Sequence, residues 1–174
     1  MRRTLVSLGG ACLFVALTAQ AQNFLDAVKI LPKGNTIIST TIKNVNVVVT
    51  IKTHEIQNGT PSHIDTTATK FTSCTNSRVP CSVVDNVTIS VNGKNIFVPR
   101  SVFCDLADLD RGMLVTDNGN QQLALIFWVG DAAEAYIVKI DFNNVRVTRR
   151  RLSLDIHQRE LLQDTKYYLQ SFDG

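Results

Sequence analysis

The sequence lacks a strong excess of either charge and lacks a second long apolar run after its N-terminal segment. Lys and Arg together number 18 and Asp and Glu 15 among the 174 residues. Because nucleic-acid binding depends on clustered positive charge that releases counterions, this near balance argues against a nucleic-acid partner. No apolar run approaches the roughly 20 residues of a membrane-spanning helix. We therefore expect no transmembrane segment in the mature chain.

Catalytic and metal-binding signatures are also missing. No H-E-x-x-H, C-x-x-C, G-x-S-x-G or phosphate-cradling glycine loop occurs in the chain. The three histidines, at positions 54, 63 and 157, do not have the spacing of a metal site. Asp105, Asp108 and Asp110 do not match a calcium loop, and we interpret them as a turn with solvated carboxylates. We predict no cofactor and no metal, and we favour binding over catalysis.

The N-terminus has the three parts of a secretory signal. Met1–Arg3 is positively charged, Leu5–Leu17 is uncharged and largely apolar, and Thr18–Ala21 supplies a small-x-small cleavage site. We expect cleavage after Ala21, which removes residues 1–21 as a signal peptide. Residues 22–174 are then a single mainly-β domain, and its predicted location is periplasmic or secreted.

The mature chain has three cysteines: Cys74, Cys81 and Cys104. An oxidising compartment favours a disulfide. The turn-rich hexapeptide between the first two cysteines predicts a Cys74–Cys81 disulfide, with Cys81–Cys104 as the alternative. We interpret Cys104 as a buried, inert thiol, because free cysteine is among the most buried residue types.

Hydrophobic periodicity predicts β-strands along most of the chain. Val45–Lys52 alternates apolar and polar residues, which is typical of a half-buried strand. Two alternating runs flank Asn92-Gly93, the residue pair best suited to a type I′ hairpin turn. Leu123–Val129 is apolar at every position, which indicates a central strand covered on both faces.

The remaining segments complete the predicted fold. Asn23–Leu31 has a capping residue and helical spacing, and Pro32 would end a short helix there. Apolar residues occupy odd positions at Val145 and Val147 but even positions at Leu152, Leu154 and Ile156, which predicts a β-bulge or bend at Arg149–Arg151. The pattern predicts a mainly β protein: an antiparallel β-sandwich or open barrel with a short N-terminal helix.

An arginine cluster is the most unusual feature of the chain. Guanidinium groups pair bidentately with carboxylates and phosphates, and a bulge would fan neighbouring arginines in different directions. The alternative is an exposed strand whose charges prevent edge-to-edge pairing. The aromatic side chains of Trp128, Tyr136, Tyr167 and Tyr168 can add anchors at an interface, although we expect Trp128 to pack in the core. The candidate binding residues are Arg146, Arg149, Arg150, Arg151 and Tyr136.

These features favour an exported small β-domain that acts as a binding module for another macromolecule, as an inhibitor, immunity factor or accessory protein. The expected partner is a protein or an anionic envelope component. Two alternatives stay open: a secreted hydrolase with a dispersed Asp, His and Ser site, and a carrier of apolar small ligands with a cavity beside Phe127. We also expect that serine at Arg149, Arg150 and Arg151 leaves the fold intact and weakens partner capture.

Overall fold

The computed structural model describes residues 27–42, 44–56, 81–116, 122–130 and 135–168. In these ranges ten strands form two antiparallel sheets, and no α-helix occurs. The strands are β1 (Val28–Lys29), β2 (Gly34–Ile42), β3 (Val45–Ile56), β4 (Cys81–Val91), β5 (Lys94–Asn95), β6 (Leu109–Thr116), β7 (Leu123–Val129), β8 (Tyr136–Phe142), β9 (Val147–Ser153) and β10 (Leu161–Lys166). A short 3-10 helix occupies Arg100–Val102. No helix of the described ranges has the length and apolar character needed to cross a membrane.

The two sheets pack on one shared core. The six-stranded sheet has the order β1-β6-β7-β8-β9-β10, and the four-stranded sheet has the order β2-β3-β4-β5. Val47, Val49 and Ile51 of β3 and Leu125 and Phe127 of β7 are all 0% exposed and belong to the same apolar cluster. The alternation predicted along β3 is therefore confirmed. The fold is mainly β with two antiparallel sheets that do not close into a barrel.

The two sheets approach each other closely at Gly112 of β6. A Cβ atom placed on Gly112 would lie 2.6 Å from Cδ1 of Ile38 and 3.1 Å from Cε1 of Phe127. Ile38 comes from β2 of the other sheet, and it is 3% exposed. A residue without a side chain is therefore needed where β2 crosses β6.

The hairpin predicted at Asn92-Gly93 is confirmed. It joins β4 to β5, and its two central residues have φ values of 51° and 79°. Both values lie in the left-handed region that a type I′ turn requires. The Oδ1 of Asn92 also accepts a hydrogen bond from the backbone N–H of Asn46, at 2.8 Å. This contact ties the hairpin to the beginning of β3.

The predicted N-terminal helix is not confirmed. Val28 and Lys29 form β1, which pairs with Gly112 and Arg111 of β6. The N–H of Ile30 then donates to the carbonyl of Asp110 at 2.9 Å. Pairing with a sheet edge satisfies the backbone groups that a helix would satisfy internally, so tertiary contacts override the local pattern. Residues 23–26 of the expected helix lie outside the described residues.

A β-bulge is present in β9, one residue earlier than predicted. Phe142 pairs with Val147 and Asp141 pairs with Arg149, so Thr148 is the extra residue. Before the bulge Val147 faces the core, and after it Arg150 and Leu152 do so. The extra residue Thr148 therefore explains why the apolar positions shift from odd to even numbers along this segment.

The prediction for β7 is confirmed, because both faces of this strand are covered. Its inward residues belong to the shared core. On the opposite face Ile126 packs with Met113 and Ile137, and Trp128 is partly buried against them. β7 lies between β6 and β8, inside the six-stranded sheet.

The cysteines are only partly described. Cys104 is an exposed free thiol, so the expectation of a buried Cys104 and the alternative Cys81–Cys104 disulfide are both wrong. Cys81 is 1% exposed at the start of β4. Its expected partner Cys74 lies outside the described residues, and the Cys74–Cys81 disulfide stays a prediction. The signal peptide at 1–21 also lies outside them.

Candidate functional site

Arg150 lies inside the protein and is not a surface group. Its side chain is 2% exposed, and its Nη2 donates to both carboxylate oxygens of Asp105 at 2.9 Å. Its Nη1 donates to Oε1 of Gln163 at 3.0 Å. Nε of Arg150 has no hydrogen-bond partner among the described residues. The bulge at Thr148 causes this placement, because it turns Arg150 towards the core.

Arg149 and Arg151 point to the opposite face of β9 and are also paired. Nε and Nη2 of Arg149 donate to the two oxygens of Asp164 on β10, at 2.7 and 2.5 Å. Nη2 of Arg151 donates to Oδ2 of Asp141 on β8, at 2.5 Å. Asp141 is 4% exposed, so Arg151 neutralises a buried carboxylate.

The pair between Arg149 and Asp164 affects the pKa of both groups. The hydrogen bond from Arg149 lowers the pKa of Asp164, and partial burial opposes that change. The same hydrogen bond raises the pKa of Arg149, against the effect of desolvation. Both groups are therefore held in their charged forms.

These ion pairs correct the expected geometry of the arginine cluster. Three of the four guanidinium groups are neutralised by carboxylates that are distant in sequence, so they do not form a fan of free positive charge. The structure changes what we expect of serine at Arg150, because the side chain it would remove is 2% exposed and pairs with Asp105 and Gln163. Replacing it by the much smaller serine would open space where the guanidinium is buried, so we expect a loss of stability.

Arg146 is the exception within the cluster. It is partly exposed, and its side chain has no ion pair with any described residue. Its backbone forms a parallel bridge with Phe97, which places the two side chains on the same side. Phe97 is 63% exposed and Val145, the neighbour of Arg146, is 56% exposed. We refer to Phe97, Val145 and Arg146 as the corner patch, because they lie where the two sheets meet.

Backbone hydrogen bonds hold the corner patch in one conformation. The N–H of Phe97 donates to the carbonyl of Val145 at 2.9 Å, and the N–H of Val147 donates to the carbonyl of Phe97 at 3.0 Å. Oδ1 of Asn143 accepts from the N–H groups of Val145 and Arg146, both at 2.9 Å. The patch therefore requires little ordering of its backbone when it binds a partner.

The predicted aromatic anchors are divided between core and surface. Tyr136 is 3% exposed and packs in the shared core, so it offers no accessible anchor. Tyr167 is partly buried against the same core. Tyr168 is 76% exposed after the end of β10. The exposed Phe97 was missed, because the alternation of the hairpin does not show which face of that segment meets solvent.

The aspartates of the 105–110 segment have structural partners. Asp105 binds Arg150, and Oδ1 of Asp108 accepts from the N–H of Ser82 at 2.8 Å. Asp110 pairs with the exposed Arg111 at 3.1 Å. In the described ranges no group of three or more His, Cys, Asp or Glu side chains is arranged to hold a metal ion.

A histidine–carboxylate pair lies on the four-stranded sheet. Nδ1 of His54 on β3 is 2.5 Å from Oδ1 of Asp85 on β4. Asp85 is the extra residue of a bulge, because Lys52 pairs with Asn86 and Thr53 with Val84. Both side chains are substantially exposed, at 45% and 31%. The other two histidines do not join this pair: His63 lies outside the described residues, and His157 lies in the turn between β9 and β10.

Comparison with known proteins gives no relative. No protein-family model, no curated protein and no solved structure matches the chain.

Proposed function

We propose that this protein is an exported β-sandwich module that binds another protein, and that the corner patch makes the central contact. Export is inferred from the N-terminal signal sequence, and the location is periplasmic or secreted. N-terminal sequencing of the protein purified from its native host should then begin at Gln22. A mature protein that still carries Met1 would contradict the export proposal.

The unpaired state of Arg146 carries the binding proposal. Arg149, Arg150 and Arg151 each have a carboxylate within 2.9 Å, whereas Arg146 has no ion pair with the described residues. An arginine without an internal partner can form a bidentate pair with a carboxylate of another molecule. Such a pair would offset the desolvation of Arg146 on binding.

The side chains beside Arg146 favour a protein over a purely anionic component. Phe97 and Val145 are both more than half exposed; the backbone bridge pairs Phe97 with Arg146, and Val145 precedes Arg146 in the chain. Aromatic side chains and arginine are enriched among the residues that dominate protein–protein binding energy. A polyanion would use the charge of Arg146 but would gain nothing from covering Phe97. A protein with an apolar pocket beside an acidic residue uses all three side chains.

The test is capture of partners from the native envelope or culture fluid. Wild-type protein, Phe97→Ser/Arg146→Ser and the control Arg111→Ser would be immobilised in equal amounts, and the bound material identified by mass spectrometry. Arg111 is a suitable control because it is an exposed arginine, at 59%, that is paired with Asp110. We expect a protein that is retained by wild type and by the control and lost by the double variant.

The Kd of the captured protein for each variant measures how much the corner patch contributes to binding. Central interface residues typically cost about 2 kcal/mol when truncated, which is about thirtyfold in Kd. We expect at least that loss for Phe97→Ser/Arg146→Ser and less than threefold for Arg111→Ser, on the order of a neutral surface change. Equal retention by all three proteins contradicts the proposal. Capture of a polyanion that survives protease treatment contradicts the choice of a protein partner.

A further inference from the structure

A cleft of about 440 Å³ opens between the two sheets at one end of the sandwich. Val45 and Val91 contribute to it from the four-stranded sheet, and Leu123 and Phe142 contribute from the six-stranded sheet. Val45 begins β3 and Val91 ends β4, while Leu123 begins β7 and Phe142 ends β8. The volume lies within the range of roughly 300–1,000 Å³ that is usual for small-ligand sites.

The polar lining of the cleft is neutral. The described residues that line it include four carboxamides and one hydroxyl but no charged side chain. These polar residues are Asn92, Gln122, Asn143, Asn144 and Thr148. An anionic ligand would be expected to meet a cation in its site, and a cationic ligand a carboxylate. Neither occurs among these lining residues.

Hydrogen bonds to the protein fix which atoms of the carboxamides are left for a ligand. Oδ1 of Asn92 accepts from the backbone of Asn46, and Oδ1 of Asn143 accepts from the backbone of Val145 and Arg146. Because a backbone N–H must meet an oxygen, both amide orientations are determined, and each side chain keeps its NH2 group as a donor.

The other two carboxamides add acceptor capacity. Nε2 of Gln122 donates to Oγ1 of Thr148 at 3.0 Å, which leaves Oε1 of Gln122 as an acceptor. Asn144 is exposed and makes no side-chain hydrogen bond to the described residues, so both its donor and its acceptor are available. The cleft therefore presents donors and acceptors together on a partly apolar floor, and hydrogen bonds to the protein orient those of Asn92, Gln122 and Asn143.

We propose that this cleft binds a carbohydrate, with one neutral sugar ring held by the carboxamides. A sugar hydroxyl both donates and accepts, so a row of hydroxyls matches a mixed set of NH2 donors and amide oxygens. The apolar side chains of Val45 and Leu123 suit the C–H face of the ring. The inference goes beyond the proposed protein-binding function and does not depend on Phe97 or on the charge of Arg146.

The experiment uses the mature protein labelled with 15N and the methyl glycosides of glucose, galactose, mannose and N-acetylglucosamine. We expect saturable shifts, with at least one glycoside, of the side-chain NH2 signals of Asn92, Gln122, Asn143 and Asn144. The corresponding signals of Asn35 on β2 should not move. If none of the glycosides shifts the cleft signals, or if the shifts lie elsewhere on the protein, the proposal is overturned.

Three variants separate the cleft from the rest of the surface. Asn144→Ala and Gln122→Met remove hydrogen-bonding groups of the cleft, and Asn35→Ala removes an exposed carboxamide on β2. Loss of one hydrogen bond to a ligand is worth about tenfold in Kd, so each cleft variant should weaken glycoside binding by about that factor. The control should bind as wild type does. Unchanged affinity in both cleft variants overturns the proposal, and thermal unfolding of each variant confirms that its fold is intact.

Discussion

Removal of Asp105 would show how strongly the buried charge of Arg150 depends on one carboxylate. Asp105→Ala leaves a guanidinium that is 2% exposed with Gln163 as its remaining side-chain partner among the described residues. Removing one member of a buried ion pair costs about 3–5 kcal/mol, because the other charge stays buried and uncompensated. Asp105 is itself 35% exposed, so solvent already weakens the pair. We therefore expect a loss of about 2–3 kcal/mol in the free energy of unfolding.

Replacement of Arg150 should lower the free energy of unfolding less than replacement of Asp105 does. In Arg150→Met the carboxylate of Asp105 can return to water, and an unbranched apolar side chain fills much of the space. The Nε of Arg150, which has no partner among the described residues, is also removed. Replacing a buried ion pair by apolar side chains is often neutral or stabilising. The double variant Asp105→Ala/Arg150→Met should therefore regain at least half of the stability that Asp105→Ala loses.

Urea unfolding followed by the fluorescence of Trp128, the single tryptophan, would measure these free energies. Asp110→Ala is the matched control, because its partner Arg111 and Asp110 itself are 59% and 46% exposed. An exposed pair contributes at most about 1 kcal/mol, so the control should change little. A loss in Asp105→Ala no larger than in the control would refute this reasoning. So would a double variant as unstable as Asp105→Ala alone.

Two further predictions concern packing and pH. Gly112→Ala should lower the free energy of unfolding by about 1–3 kcal/mol. The reason is that its Cβ would lie 2.6 Å from Ile38 and 3.1 Å from Phe127. An unchanged urea midpoint would contradict the close approach of the sheets. The pKa of Asp164 is lower in the folded protein than its ordinary value of 3.8 because Arg149 donates to it, so its contribution is complete above that value and is lost as pH falls through the folded pKa. The urea midpoint of wild type should therefore fall more steeply than that of Asp164→Asn between about pH 5 and pH 2, and parallel curves would contradict the pair.

The parts of the fold that could be predicted are those set by local residue patterns. Asn92-Gly93 specifies its turn because few other residues adopt two successive positive φ values, and both are observed. The alternating pattern of β3 likewise indicates burial of one face, and the fully apolar sequence of β7 indicates burial of both faces. The bulge in β9 was detectable as a change of phase, but the phase alone locates it only to within the stretch between Val147 and Leu152.

The parts that could not be predicted depend on residues that are distant in sequence. Asp105 lies 45 positions from Arg150, and Asp164 lies 15 positions from Arg149. Nothing in the arginine cluster itself shows that pairing of β9 with β10 brings Asp164 beside Arg149, or that the segment before β6 brings Asp105 beside Arg150. The strand at Val28–Lys29 is a similar case, because a helical pattern was overridden by the edge of β6. The corner patch also needed the tertiary structure, since Phe97 follows β5 of one sheet and Arg146 precedes β9 of the other.

The matched charges of β9 have a consequence for how this sequence can vary. A substitution that replaces Arg150 by a neutral residue makes the carboxylate of Asp105 dispensable. Loss of Asp105 first would leave the buried guanidinium of Arg150 without its carboxylate partner. In related sequences, positions 150 and 105 should therefore change together, with the arginine replaced before the aspartate. Arg146 has no such charged partner among the described residues. The residue at position 146 is therefore constrained by binding partners and not by an ion pair within the protein.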